Sequence, residues 1–163
     1  MFDDMYYKEE TLIVPNNIRY ITKSAIVQTK YVKKVVCGEN VEKLGCWAMC
    51  ANEKLECFIA NEKLKVINRG ALMNNPKLNT VKLNKGLEYI GIKAFYDCPS
   101  LEYVVIPESV KYIEYEAFTS GILYCEIESK PEGWSNDFVT DNVKVYWGNE
   151  WEYNEEGIPV LIE

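Results

Sequence analysis

The residues of this chain that could do chemistry are six cysteines and a surplus of carboxylates, and the sequence contains no histidine to serve either group. A serine or cysteine nucleophile needs a neighbouring base to take its proton, and that base is most often an imidazole. Many zinc sites need the same side chain. Carboxylate pairs such as Glu114 and Glu116 fall on turns without a partner signature. We therefore predict a protein without enzymatic activity, catalytic residues, a metal site or a cofactor.

The cysteines and the N-terminus both bear on the compartment. The sequence has no CxxC pair, and the closest cysteines are Cys46 and Cys50. A chain of 163 residues can fold without disulfides, so we predict reduced thiols. The N-terminus, MFDDMYYKEE, lacks the basic segment and apolar run of a secretory signal. These features predict a cytoplasmic protein, or a secreted or cell-surface protein if a leader has been removed.

The charge of the chain argues against several classes of partner. A net charge of −7 disfavours binding to nucleic acid phosphates. Neither GxxxxGK[ST] nor GxGxxG occurs, so nucleotide binding has no support. No apolar run approaches the length that spans a bilayer, and we expect no membrane contact. Residues 126–163 hold ten Asp and Glu against two Lys and Arg, whereas residues 1–125 hold fifteen against sixteen. The acidic region is either a solvated cap or a surface for a basic partner.

A repeat of 23 residues runs through most of the chain, and it must position most of the cysteines and charged residues. Apolar residues recur in the same columns when the segment at 85–107, KGLEYIGIKAFYDCPSLEYVVIP, is shifted by one period. The columns are Ala25, Ala48, Ala71, Ala94, Ala117; Ile26, Met49, Leu72, Phe95, Phe118; Val32, Leu55, Leu78, Leu101, Tyr124; and Val35, Phe58, Val81, Val104, Ile127. A unit this short cannot bury its own apolar side chains. The period therefore predicts a solenoid of about five coils that share one core.

Each coil has a short β-branched run that ends in a breaker, as in Val104-Val105-Ile106-Pro107, which predicts one parallel strand per coil. The stretch after each alanine is too short for a full helix, and we expect one helical or 3₁₀ turn there. The invariant alanine indicates a crowded bend. A column of alternating charge (Arg19, Glu42, Lys65, Glu88, Lys111) predicts an exposed ladder of opposite charges. The expected fold is thus mostly strands and turns with little helix.

The period ends near Ile127, and the composition changes after it. Residues 131–163 hold three of the four tryptophans, and solenoid ends need caps over the exposed core and the open strand edge. We predict a single domain with an N-terminal cap at 1–10, a solenoid at 11–130, and an aromatic, acidic C-terminal cap at 131–163. Val143 to Trp147 alternates like a final strand that closes the sheet.

The repeat resembles the BspA-type leucine-rich repeat of bacterial proteins, S-V-x-x-I-G-x-x-A-F-x-x-C-x-x-L-x-x-I-x-I-P, over about residues 9–130. The coil at 85–107 matches best, whereas Asn52 and Asn75 replace the cysteine of the pattern, and Met49 and Leu72 replace its phenylalanine. The resemblance implies a protein-interaction scaffold and supplies no catalytic residue.

The resemblance also implies that binding uses the side chains that alternate with the buried ones on the sheet. With the period held constant, and with Thr11 beginning the first column, these are Ile13, Lys34, Val36, Cys57, Ile59, Thr80, Lys82, Tyr103, Val105, Glu126 and Glu128. We predict a non-enzymatic protein-binding module that uses this face. The alternatives are an inhibitor or mimic of phage or mobile-element type that acts through the acidic C-terminal region, or a self-assembling protein that dimerises through the sheet face or edge. The sequence does not identify the protein partner.

Overall fold

Successive coils stack so that residues one period apart lie side by side. The computed structural model describes residues 10–163 as a β-solenoid of about six turns with parallel strands and no helix. This confirms the predicted repeat solenoid. The expected N-terminal cap at 1–10 lies outside the described residues, apart from Glu10.

Two parallel sheets run along the solenoid because each coil contributes a strand to each of them, until the coils change near the C-terminus. The strands in chain order are β1 Thr11–Ile13, β2 Tyr20–Ile21, β3 Lys34–Val36, β4 Lys43–Leu44, β5 Cys57–Ile59, β6 Val66–Ile67, β7 Thr80–Lys82, β8 Tyr89–Ile90, β9 Tyr103–Ile106, β10 Tyr112–Ile113, β11 Ile122–Cys125, β12 Lys144–Tyr146, β13 Trp151–Tyr153 and β14 Pro159–Leu161. The larger sheet has the order β1-β3-β5-β7-β9-β11-β12, and the smaller sheet has β2-β4-β6-β8-β10. β13 and β14 form a separate antiparallel hairpin.

The alanine column lies along a ladder of main-chain hydrogen bonds between coils. The amide of Met49 donates to the Ala71 carbonyl at 2.7 Å, and the amide of Leu72 donates to the Ala94 carbonyl at 2.8 Å. Ala71 and Ala94 are completely buried. Since coils in a parallel stack lie only about 4.8 Å apart, a larger side chain here would press on its neighbours. The predicted crowded bend is therefore confirmed for the coils after the first, in which the alanine is exposed.

The expected helical turn after each alanine is wrong, because residues with positive φ interrupt the chain on both sides of it. Trp47 has φ 53° and Ala51 has φ 58°, and the equivalent pair in the fourth coil, Lys93 and Asp97, has 54° and 55°. A right-handed helix cannot continue through a left-handed residue. Each coil turns this corner with successive β-turns, such as the one closed by the bond from the Cys50 amide to the Trp47 carbonyl.

Asn52 and Asn75 tie neighbouring coils together in the position that the repeat pattern gives to cysteine. The Asn75 Oδ1 accepts from the Asn52 amide at 2.9 Å, and its Nδ2 donates to the carbonyls of Leu72 at 2.6 Å and Met49 at 3.0 Å. In the next coil Cys98 does the same with one sulfur, which accepts from the Asn75 amide and donates to the Leu72 carbonyl at 3.2 Å. The asparagines therefore replace cysteine without loss of the inter-coil bonds.

The ladder of alternating charge forms in part on the exposed side of the smaller sheet, as one ion pair and one group of three charges. Arg19 pairs with Glu42 at 2.6 Å, and Glu88 lies between Lys65 and Lys111 at 3.1 Å from each. These lysines hold the pKa of the Glu88 carboxyl below its usual range. Exposed pairs of this kind contribute little to stability, so the ladder mainly confirms the register.

The coil that contains β11 is four residues shorter than the coils before it, and the constant period fails there. Ile122 pairs with Tyr103 and Leu123 pairs with Val104, an offset of 19 residues. Gly121 makes the shortcut possible, because it has φ 85° and a Cβ there would lie 2.8 Å from the Leu101 carbonyl oxygen. The last members that we assigned to two inner columns, Tyr124 and Ile127, are therefore wrong, and Leu123 takes the core position beside Val104.

The two sheets continue past residue 130, where we predicted that the cap begins. Trp134 forms a parallel bridge to Ile113 in line with the smaller sheet, and β12 pairs with β11 as the final strand of the larger one. The Trp134 side chain is 2% exposed and donates from its indole nitrogen to the Val110 carbonyl at 3.1 Å. An aromatic side chain thus closes the core, as expected for this region.

Candidate protein-interaction surface

The outward face of the larger sheet consists of two columns of side chains that alternate with the core. In β5, for example, Phe58 is fully buried, whereas Cys57 and Ile59 are half-buried. Strand pairing places nine of the predicted site residues together in these columns: Ile13, Lys34, Val36, Cys57, Ile59, Thr80, Lys82, Tyr103 and Val105. A constant backbone register brings them onto one surface.

Glu126 and Glu128 do not lie in these columns, so the register that placed them there is wrong. β11 ends at Cys125, and the two glutamates lie in the bend that follows it. The short coil moves Ile122 and Tyr124 into the outward columns instead, opposite Tyr103 and Val105. The alternation Ile122-Leu123-Tyr124 after a glycine was the sequence signal for this register.

The outward face of β1, β3, β5 and β7, which we call the open face, carries an apolar row with lysines beside it. Ile13 is 65% exposed, and the strand register places Val36 and Ile59 next to it in turn. Lys82 follows Ile59 in the same row, and Lys34 lies in the other column. Exposed apolar side chains in contact with one another often mark interaction sites.

The C-terminal hairpin formed by β13 and β14 packs on the other end of the outward face. The Trp151 ring lies 5.4 Å from the Tyr124 ring, and its indole nitrogen donates to the Cys125 carbonyl at 3.0 Å. Tyr124 also contacts Tyr103 and Tyr146. As a result, Tyr124 is only 8% exposed although it points outward, and burial raises the pKa of its hydroxyl.

This hairpin does not follow from the repeat, because nothing in the 23-residue period requires it. Its turn is built by Asn154, whose Oδ1 accepts from the amides of Glu156 at 3.0 Å and Ile158 at 2.9 Å, and by Gly157 at φ 74°. The segment Asn154-Glu-Glu-Gly157 was the local signal for a turn between two short strands. The hairpin thus buries the outward side chain of Tyr124 at this end of the larger sheet.

Three of the six cysteines lie in the interior of the solenoid. Cys37, Cys98 and Cys125 are buried, and burial raises the pKa of each thiol to about 12. At neutral pH the reactive thiolate is then only about a hundred-thousandth of each population. No group of three potential metal ligands occurs among residues 10–163, and the same range contains no helix able to cross a bilayer.

Comparison with known proteins connects this architecture to bacterial repeat proteins. The family model described as "BspA type Leucine rich repeat region" matches residues 2–123 in six copies. Comparison with curated proteins finds no match.

Solved structures of the same fold share little sequence with this chain. The crystal structure of the pneumococcal vaccine antigen PcpA is similar with a TM-score of 0.75 and 21% identity, over 90% of this chain and 37% of that one. The leucine-rich repeat protein of T. pallidum gives 0.63 and 19%, over 83% and 72%. One from Bacteroides ovatus gives 0.60 and 15%, over 84% and 42%. This chain therefore spans little more than a third of the pneumococcal protein.

Proposed function

The chain belongs to the BspA-type leucine-rich repeat family, and from that premise we propose that it is a protein-binding module whose contact surface is the open face. Repeats of this family are typically protein-interaction scaffolds. The observation that carries the proposal is the row Ile13, Val36 and Ile59, which is apolar, in register, and outside the part that the hairpin covers.

The open face has the composition of a small interface. Its apolar row can supply the desolvated centre of a contact, and Lys34 and Lys82 can supply charged groups beside it. A sheet with coils in fixed register is also rigid, so that binding costs little ordering of the receptor. The interpretation of the acidic C-terminal region as an inhibitor or mimic gains no support from the comparisons.

The test is a capture experiment that compares two variants, one on each sheet. The variant Ile13→Lys/Ile59→Lys places two charges in the apolar row. The variant Val66→Lys places one charge on the outward side of the smaller sheet, at a residue that is half-buried. Proteins retained from a lysate by the immobilised wild-type chain are identified by mass spectrometry, and their affinities for each purified variant are then measured. We expect a specific partner to lose at least about tenfold in affinity for the double variant and to keep its affinity for Val66→Lys. A partner that binds both variants like the wild type refutes the assignment of the open face.

A further inference from the structure

The exposed side of the smaller sheet carries a cluster of cations around one tryptophan, which we call the basic patch. Lys23, in the first coil, lies 5.1 Å from the Trp47 ring, and Arg69, in the third coil, lies 5.9 Å from it. Lys43 belongs to the coil between them. Together with Tyr20, both lysines line a shallow concavity of about 560 Å³. These cations share one surface because they belong to neighbouring columns of three consecutive coils.

The cations of the basic patch are available to a ligand, whereas other cations of the same sheet already have a partner. Arg19, Lys65 and Lys111 each pair with a glutamate of the charged ladder. Lys23, Lys43 and Arg69 form no salt bridge with any residue from 10 to 163. All three are exposed.

The Trp47 side chain is held in place by the coil that follows it. A Cβ at Gly70 would lie 2.7 Å from the Trp47 Cδ1 and 2.8 Å from its Nε1, so the absence of a side chain at Gly70 lets the indole lie against the backbone. A flat aromatic group between two cations can contact an apolar or aromatic side chain of an acidic ligand while the cations bind its carboxylates.

The same chain presents a ligand of this chemistry at its other end. The segment 149–163 holds five glutamates and no lysine or arginine, and it contains the hairpin of β13 and β14. Tyr153 is 50% exposed on this hairpin, and Glu152, Glu155 and Glu156 are exposed beside it. The same separation of charge extends along the chain. Residues 10–96 carry fourteen Lys and Arg against seven Asp and Glu, whereas residues 97–163 carry three against fifteen.

The basic patch and the hairpin cannot meet within one molecule. The patch lies on the smaller sheet in the first three coils, whereas the hairpin is fixed by Trp151 to the outward face of the larger sheet beside β11. We infer that the acidic hairpin of one molecule docks on the basic patch of a second copy of this chain. Such a contact joins two different surfaces. It closes into a two-fold dimer only where both contacts form reciprocally between the same two molecules, and otherwise it produces larger rings or open chains.

This association should be weak and sensitive to salt, because exposed charge pairs dominate it. Sedimentation velocity of the purified chain over a range of concentrations measures it directly. We expect the association constant to fall at least about tenfold when the ionic strength rises from about 0.05 M to about 0.5 M. The inference does not depend on the proposed function, which concerns the open face and a different partner.

Charge reversal on each side provides the decisive comparison. The patch-reversed variant is Lys23→Glu/Lys43→Glu/Arg69→Glu, and the hairpin-reversed variant is Glu152→Lys/Glu155→Lys/Glu156→Lys. Each variant alone should self-associate about a hundredfold more weakly than the wild type, because like charges then face each other. An equimolar mixture of the two should associate again, since each reversed surface finds its complement on the other variant. The variant Lys54→Glu/Lys77→Glu/Lys85→Glu has the same net charge as the patch-reversed one and serves as its control.

Three results would overturn the inference. One is a wild-type chain that stays monomeric at low salt and at millimolar concentration. Another is a control variant that loses association as strongly as the patch-reversed variant does, which would indicate a general effect of net charge. The third is a mixture of the two folded variants, verified by circular dichroism, that remains monomeric.

Discussion

Replacing Asn75 by alanine tests whether side-chain bonds between coils stabilise the solenoid. Asn75 is completely buried, and its Oδ1 is the acceptor for the Asn52 amide. In Asn75→Ala that amide has no partner, which costs about 2 kcal/mol. The carbonyls of Met49 and Leu72 each lose one bond but keep another, from Asn52 and Cys98 respectively, at about 0.5 kcal/mol each. The free energy of unfolding should therefore fall by about 3 kcal/mol.

Two further variants separate this mechanism from a general loss of packing. Asn75→Cys restores the residue that the neighbouring coil uses, since Cys98 accepts from an amide and donates to a carbonyl in the same position. We expect it to lose only about 1 kcal/mol, because sulfur is a weaker donor and acceptor. Asn149→Ala removes an exposed asparagine and should change stability by less than about 0.5 kcal/mol.

The assay is urea unfolding followed by both circular dichroism and tryptophan fluorescence, because long repeats can unfold in more than one step. For a chain of this size, a loss of 3 kcal/mol corresponds to a fall in Tm of about 6–12 °C. The reasoning is refuted if Asn75→Ala is as stable as Asn149→Ala, or if Asn75→Cys is as unstable as Asn75→Ala.

Three other substitutions test separate features of the coils. Ala51→Gly should stabilise the fold by up to about 1 kcal/mol, because Ala51 has φ 58°, whereas Ala60→Gly in an ordinary conformation should destabilise it by about 0.5–1 kcal/mol in urea titrations. Ala71→Leu should cost about 1–3 kcal/mol or more, because the bend is fully packed, and Ala25→Leu at the exposed equivalent position should cost little; thermal unfolding distinguishes them. Glu88→Gln should be less stable than the wild type at neutral pH, and the difference should vanish with acid. The lysine neighbours lower the pKa of Glu88 in the folded protein, so its ion pairs stabilise the fold above the unfolded pKa, and this stabilisation is lost as the pH falls through the folded pKa. Unfolding of both proteins is measured over a range of pH. A difference in stability that persists in acid contradicts the role of the ion pairs.

The solenoid, its register and its core could be predicted from the sequence because every coil repeats the same constraint. Once Leu72 and Phe95 are aligned as equivalent core positions, the period also fixes which residues of the neighbouring strands point outward. The buried asparagines could be located as departures from the repeat pattern. Their role could not be predicted, since it depends on which main-chain groups the neighbouring coil leaves free.

The incorrect predictions concern the segments in which the chain departs from the 23-residue period. Gly121 shortens one coil by four residues, so Glu126 and Glu128 were assigned to a face that Ile122 and Tyr124 occupy. The hairpin that covers Tyr124 is another such departure, because its position results from the contacts of a single tryptophan, Trp151. Neither the short coil nor the hairpin follows from the 23-residue period, although Gly121 and the apolar run after it mark the short coil in the sequence.

The most direct measurement of the central claim uses two cysteines of the chain as probes. Cys57 lies on the open face, whereas Cys46 lies on the other side of the coil in the column of Lys23 and Arg69, and both are half-buried. Rates of thiol alkylation, measured by mass spectrometry with and without a bound protein partner, report which surface the partner covers. Binding at the open face predicts that the partner slows the alkylation of Cys57 and leaves Cys46 unchanged. Protection of Cys46 alone, or an unchanged rate at Cys57 in a saturated complex, would contradict it.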